Sequence, residues 1–221
     1  MLRRLATFAL SLSLLVTAAS PALAAGFAAP PPDTAGAPIS IEALRAPQDL
    51  RPALNDAMRT RLRKVLADRR DRNLRAFAAY VKRGSFPHNF ENDESLNVWR
   101  DREGHLCAAA TMISRSGARK LVNQVAKTDN FIRLADVTDG ALLDWILTSG
   151  LTHAEVVAIQ EPFMGREEPM RPRDWRTAED ARLRTRYAEV QRMLASDRAA
   201  SLDAAIDALA ARPDLVAKLI R

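Results

Sequence analysis

Residues 49–84 read DLRPALNDAMRTRLRKVLADRRDRNLRAFAAYVKRG, and this stretch decides the fold class. Leu50, Leu54, Met58, Leu62, Val65 and Leu66 recur at helical spacing. Leu74, Phe77, Tyr80 and Val81 resume the pattern after the charged run Asp68-Arg69-Arg70-Asp71-Arg72. The spacing predicts one long helix, or two in succession, stopping before Gly84. Arg69, Arg70, Arg72 and Arg75 form a basic cluster beside Tyr80. Two readings are open: contact with an anionic surface or partner, or a solvated face paired internally through Asp68 and Asp71.

Beyond Gly84 the pattern changes. Ser85 to Glu94 carries Pro87, two Asn and several acids, and reads as loop. Leu96-Asn97-Val98-Trp99 has strand character and Asp101-Arg102-Glu103-Gly104 has turn character. His105-Leu106-Cys107 then reads as the returning strand or the lead-in to a helix at Ala108-Ala109-Ala110. Ser116-Gly117 interrupts, and Leu121, Val122 and Val125 mark another helix. Phe131 to Leu134 suggests a short strand, with Asp136 or Asp139 capping the helix that buries Leu142 and Ile146. Gly150 ends that helix, and Thr152-His153-Ala154-Glu155 is a capping box opening the next. Thr177 with Asp180 resembles a further cap, Ser201 another, and Pro213 restarts a last short helix. The expected fold is mainly α with a small β-hairpin around 96–107 and a helical C-terminal hairpin.

Four segments are expected along the chain. Residues 1–24 read as a secretory signal peptide: Arg3 and Arg4, an apolar run from Leu5 to Ala19, then Ala22-Leu23-Ala24 before the cut. The run is shorter than the roughly 18–20 residues of a membrane span, and no later run is long enough. Residues 25–47 are an Ala/Pro-rich tether. Residues 48–165 are the main globular domain, since eight of the twelve aromatics lie between Phe77 and Phe163. Residues 166–221 are helices packed on that domain or forming an appendage. The expected location is the periplasm or outside the cell. Loss of Arg3 and Arg4 lowers the formal net charge from +6 to +4.

Composition narrows the chemistry. A single cysteine excludes an internal disulfide framework and multi-cysteine metal sites. Three histidines leave little room for a His-rich centre, and the sequence points to no metal and no cofactor. Cys107 is the one nucleophile of interest. A thiol opening a helix gains acidity from unpaired N–H groups, and His105 or His88 can serve as base. The opposite reading is a core cysteine, among the most buried of residue types. A cysteine opening a helix is similar to papain-like and transglutaminase-like folds, but His153 sits in a predicted helical turn, not on a later strand. Asn89, Glu91 and Asp93 alternate as oxygen donors for a hard cation, without the glycine and final Glu of a calcium loop. Leu143 to Gln160 imitates a helix-turn-helix, but its second helix offers His153, Glu155 and Gln160 and no basic reader, so a plain helical corner and no nucleic-acid partner are expected.

Gly84-Ser85-Phe86-Pro87 with Asn89, Gly104-His105-Leu106-Cys107-Ala108, Ser116-Gly117, Trp145 leading into Ser149-Gly150-Leu151-Thr152, and Ile159-Gln160-Glu161-Pro162 together resemble a family of exported bacterial proteins of unknown function. The resemblance covers the central third of the chain and implies one folded unit over 84–162, with no catalytic assignment. Leu151-Thr152 is also similar to the motif of small helical periplasmic stress chaperones, with Glu155 where those carry Gln. Three functions are expected in order: a non-enzymatic envelope module binding a protein or an anionic surface, a thiol-dependent hydrolase or transferase using Cys107, and a chaperone-like helical protein.

Overall fold

In the computed structural model the structure describes residues 54–166 and 171–221. The expected signal peptide and tether lie outside these residues. The described chain is mainly helical: α1 Asp56–Arg83, α2 Ala108–Arg115, α3 Arg119–Thr128, α4 Gly140–Thr148, α5 His153–Ile159, α6 Pro172–Ser196, α7 Arg198–Ala210 and α8 Pro213–Leu219. No single helix among the described residues is long and apolar enough to cross a membrane.

Helix α1 is one uninterrupted helix of 28 residues, about 42 Å long. Asn55 caps its start by accepting from the Met58 N–H at 2.9 Å. It stops at Gly84, whose left-handed φ of 63° lets its N–H reach the Tyr80 carbonyl. Its buried stripe is Leu62, Leu66, Arg70, Asn73, Phe77 and Tyr80, spaced three or four residues apart. Leu62 and Leu66 pack with Leu202, Ile206, Leu209 and Val216 of α7 and α8. Phe77 and Tyr80 pack with Phe86, the alanines of α2, and Leu183, Tyr187 and Leu194 of α6. The rings of Tyr80, Phe86 and Tyr187 lie 5.2–5.6 Å apart, close enough for tilted and edge contacts.

Two polar residues occupy the stripe between these apolar clusters. Arg70, in the run that a solvated, internally paired reading would expose, is 1% exposed. It forks onto Glu155 at 2.7 and 2.8 Å. It also donates to the Leu194 carbonyl at 2.8 Å, the Gly150 carbonyl at 3.3 Å and Ser201 Oγ at 3.1 Å. Asn73 donates to the Ser149 carbonyl at 2.8 Å. Gly150 must come this close: a Cβ there would stand 2.1 Å from the Leu66 carbonyl oxygen and 2.7 Å from the Arg70 nitrogen. Asp71 turns away to pair with Arg198 of α7 at 2.6 Å.

The expected hairpin reduces to single antiparallel bridges, Arg100 with Leu106 and Leu96 with Phe163. Side chains take the place of ladder partners. Asn130 brackets Arg100, donating to its carbonyl at 2.9 Å and accepting from its N–H at 3.1 Å. The expected strand at 131–134 is instead coil running into a 3-10 turn, Leu134–Asp136. The Gln160 amide there accepts from Leu134 N–H at 2.7 Å and donates to the Ile132 carbonyl at 2.8 Å. His153 Nε2 meets the Leu134 carbonyl at 2.6 Å. Helices α4 and α5 meet at 103°. Two polar residues of the helix that imitates a recognition helix are thereby spent internally.

Several caps differ from the sequence reading. Asp139 occupies the cap position of α4 without a side-chain bond, while the Thr152–Glu155 capping box of α5 is present. Helix α6 begins at Pro172, so Thr177 and Asp180 lie inside it. Asp197, not Ser201, caps α7, which frees the Ser201 hydroxyl for Arg70.

Burial pushes the Glu155 carboxyl up, but the Arg70 guanidinium, Ser201 and the Thr152 N–H outweigh it and hold it below the usual carboxylate range. A depressed carboxyl contributes stability above its unfolded value of about 4.3 that is lost as pH falls below that value. Arg70→Met is expected to lower stability by about 3–5 kcal/mol, because it strands a buried carboxylate. That corresponds to a Tm drop on the order of 10 °C. Denaturation curves of Glu155→Gln should show lower stability at pH 7 and a flatter decline between pH 5 and 3 than the parent chain. A Tm unchanged by Arg70→Met would refute this account of the core.

Candidate functional site

The three sequence-selected site residues part company in the structure. Cys107 does stand at a helix N-terminus, capping α2 with its Sγ 3.4 Å from the Ala110 N–H. It is also 1% exposed, packed among Phe77, Tyr80, Phe86 and Ala108 in the main core. Burial pushes the thiol up to about 12, against a smaller downward pull from the N–H groups of Ala110 and Ala109. The helix-terminus effect has the expected sign and is outweighed by desolvation. No hydrogen bond joins Cys107 to a histidine among the described residues.

His105 and His88 are brought together instead around Asp101. Gly104 closes a tight turn in which Asp101 Oδ1 accepts from the N–H groups of Glu103 at 2.9 Å and His105 at 2.8 Å. Oδ2 accepts from the His88 N–H at 3.2 Å and lies 3.0 Å from His105 Nδ1. The Asp101 carboxylate is wholly buried. The His88 imidazole packs against Phe90 and Trp175, its ring centre 5.9 and 5.6 Å from theirs, with those two rings 6.0 Å from each other. Its Nε2 lies 3.4 Å from Asp180 Oδ1, yet neither ring nitrogen has a hydrogen-bond partner. Burial, with Arg176, lowers the imidazole below its ordinary range, against the upward pull of Asp180, Asp101 and Glu103. Glu103 in turn takes the Arg176 guanidinium at 2.7 Å.

The oxygen-rich loop beside it closes on itself. Asn89 donates to the Glu94 carbonyl at 2.6 Å and accepts from the Glu91 N–H at 3.0 Å. Its donors are thereby used for turn closure, and Glu91 and Asp93 are exposed.

A second concentration of charge lies on the other face of α1. A recess of about 530 Å³ is lined by Arg69, Arg72, Asn73 and Ala76 of α1, Arg115 at the end of α2, and Trp145 of α4. The Trp145 indole is fixed across it by a 2.8 Å bond to Ser116 Oγ. Arg115 also lines a neighbouring recess of about 590 Å³ with Arg83 and Arg119. Among the described residues, Arg72, Arg83, Arg115 and Arg119 have no carboxylate within ion-pair distance, and Arg69 reaches only the Thr148 carbonyl at 3.0 Å. Burial, with a smaller push from the facing Arg72, pulls the Arg69 guanidinium below its ordinary range.

The chain matches no protein-family model, no curated protein and no solved structure.

Sequence reasoning found His88 and His105 but missed the carboxylates that join them. Asp101, Glu103 and His105 alternate through a turn, a signal visible in hindsight as Asp-x-Glu-x-His. Asp180 and Arg176 arrive from α6, about 75 residues further along, with no local signal.

The raised Cys107 thiol contributes stability that is fully present below about pH 8.5 and is lost as pH rises toward about 12. At pH 8, iodoacetamide should modify native Cys107 more slowly than the unfolded chain by about three orders of magnitude, from thiolate fraction alone. Rapid native labelling with an apparent pKa below about 8.5 would restore the thiol-enzyme reading.

Proposed function

We propose that the protein is an exported, non-enzymatic binding module that takes an acidic polypeptide segment along the band Arg69–Arg72–Arg115–Arg119–Arg83. The observation that carries this reading is the set of uncompensated guanidinium groups on two recesses that share Arg115. Several arginines elsewhere are matched with acids: Arg59 with Asp207, Arg176 with Glu103, Arg182 with Glu161, Arg198 with Asp71, Arg212 with Asp144. Arg61, Arg102 and Arg184 also have no acid partner among the described residues, so what sets the band apart is that its arginines converge on two adjoining recesses. Arginine forks fit carboxylates bidentately and hold their charge at any physiological pH. Two adjoining recesses suit an extended chain with side groups better than a flat bilayer. Trp145, Ala76 and Ala118 supply apolar wall for a residue between the acids. The depth of Cys107 speaks for binding over thiol chemistry.

The test is fluorescence anisotropy with a labelled peptide of alternating glutamate and leucine. Binding is expected at low salt, weakening steadily as ionic strength rises. Arg72→Glu with Arg115→Glu should weaken it at least tenfold, while Arg61→Glu, on an exposed part of α1 away from both recesses, should change it by less than twofold. Equal loss in the Arg61 variant would reduce the effect to net charge and defeat the reading. Binding to vesicles of anionic phospholipid without binding to the peptide would replace it with a surface-binding one.

A further inference from the structure

We propose that His88, Asp101 and Glu103 bind a divalent transition cation of the zinc class. One donor atom from each lies within 4.8 Å of the others. A tetrahedral ion with ligands at about 2.1 Å sets its donors roughly 3.4 Å apart, so a modest contraction closes the set. Loop geometry explains why Asp101 is where it is. It does not explain His88. That imidazole is 91% buried by its 9% side-chain exposure, faces three carboxylates, and has both nitrogens without a hydrogen bond. Buried polar groups left without a partner are rare because desolvation goes uncompensated, and a metal ion supplies the partner a ring nitrogen lacks.

Charge points the same way. Of the three carboxylates near His88, Glu103 pairs with Arg176 at 2.7 Å, while Asp101 and Asp180 have no arginine partner among the described residues. A divalent ion is placed to neutralise the charge those two carry. Asp180 Oδ1, 3.4 Å from His88 Nε2 and itself buried without a hydrogen bond, is placed to be a further ligand or an outer partner. His105 holds Asp101 from behind through Nδ1 at 3.0 Å, the carboxylate–histidine pairing that orients a ligand oxygen. Phe90 and Trp175 exclude water from one side, and Glu103, its side chain 37% exposed, provides the way in. Mixed nitrogen and oxygen donors select zinc-class ions over calcium, which takes oxygens alone. These are different residues from the arginine band, and metal binding is read independently of the peptide.

The purified full chain is titrated with zinc chloride against a chromophoric chelator, and cobalt(II) is used as an absorbing substitute. One zinc per chain and a cobalt visible spectrum are expected. Glu103→Gln removes an exposed ligand at little risk to the fold and should weaken zinc at least tenfold. His88→Gln should abolish the cobalt bands. Arg176→Gln, which frees Glu103 and removes a competing positive charge, should leave affinity equal or severalfold tighter. His153→Gln should leave it unchanged. If His88→Gln fails to fold, Glu103→Gln with Arg176→Gln decides alone. Absence of stoichiometric zinc, zinc binding indifferent to Glu103→Gln, or stronger binding of calcium than zinc would each overturn the proposal and leave His88 as a ring packed against Phe90 and Trp175.

Discussion

A guanidinium cannot give up its proton inside a protein, so a buried arginine must be surrounded by acceptors. Arg70 meets that demand at its two terminal nitrogens, though not at Nε, with Glu155 and three further acceptors drawn from the α4–α5 corner, the end of α6 and the body of α7. The interaction is therefore less a pair than a meeting point. It fixes where Gly150 touches α1, where α6 must end and how α7 returns. The apolar clusters on either side have no directional preference of their own. Leu62 and Leu66 would accept many placements of α7 and α8, and the fork on Glu155 selects one. Such a pair need not raise net stability over an apolar substitute, but it penalises every arrangement that leaves either charge without its partner.

The same logic governs the non-helical stretches. Segments 85–107 and 129–137 bury backbone without pairing into sheets, and buried N–H and carbonyl groups must find partners. Side-chain amides and carboxylates supply them: Asn89 within its own loop, Asp101 for three N–H groups, Asn130 for Arg100, Gln160 for Ile132 and Leu134. Polar side chains thereby hold irregular backbone in place. Asp101 was recruited for turn closure and, once there, placed its carboxylate against two histidines. The site is a by-product of how the loop is fastened.

This explains what could be read from the sequence. Elements defined by repetition were legible: the periodicity of α1, the capping box at Thr152, and the Pro213 restart all depend on neighbours a few residues apart. Cys107 was placed correctly at a helix start, but its burial depends on Tyr80, Phe86 and Tyr187, which only the fold assembles. Leu96 to Trp99 and Phe131 to Leu134 carry strand-like residues because they are half-buried and extended. A strand needs a continuous partner backbone; here Leu96 and Trp99 find only isolated backbone partners at Phe163, Asn130 and Cys107, and Ile132 and Leu134 pair with the Gln160 side chain. Arg70 was illegible for a related reason. Within its local run it is one arginine among four, and nothing nearby distinguishes the one that turns inward. Thr177 and Ser201 resemble caps, but caps are decided by where the preceding chain enters, and Pro172 and Asp197 enter earlier.

Net charge is a poor guide to such a molecule, and the distribution of acids explains why. The chain has 33 basic and 27 acidic side chains, a modest excess. The excess would be featureless if acids and bases were paired at random. Instead, Asp71, Asp144, Glu155, Glu161, Asp203 and Asp207 are each committed to an arginine on another element. Asp101 is committed to backbone N–H groups. Among the arginines left without an acid, Arg69, Arg72, Arg83, Arg115 and Arg119 gather on α1 and at the junction of α2 and α3 around two adjoining recesses. Around His88 the balance tips the other way, with carboxylates converging from the Asp101 turn and α6, of which only Glu103 has an arginine partner among the described residues. His105 borders both regions, bonded to Asp101 while lining the recess of Arg83, Arg115 and Arg119. A small global excess thus resolves into two local fields of opposite sign. Ligands respond to those local fields, because within a Debye length of about 8 Å they outweigh the charge of the rest of the chain.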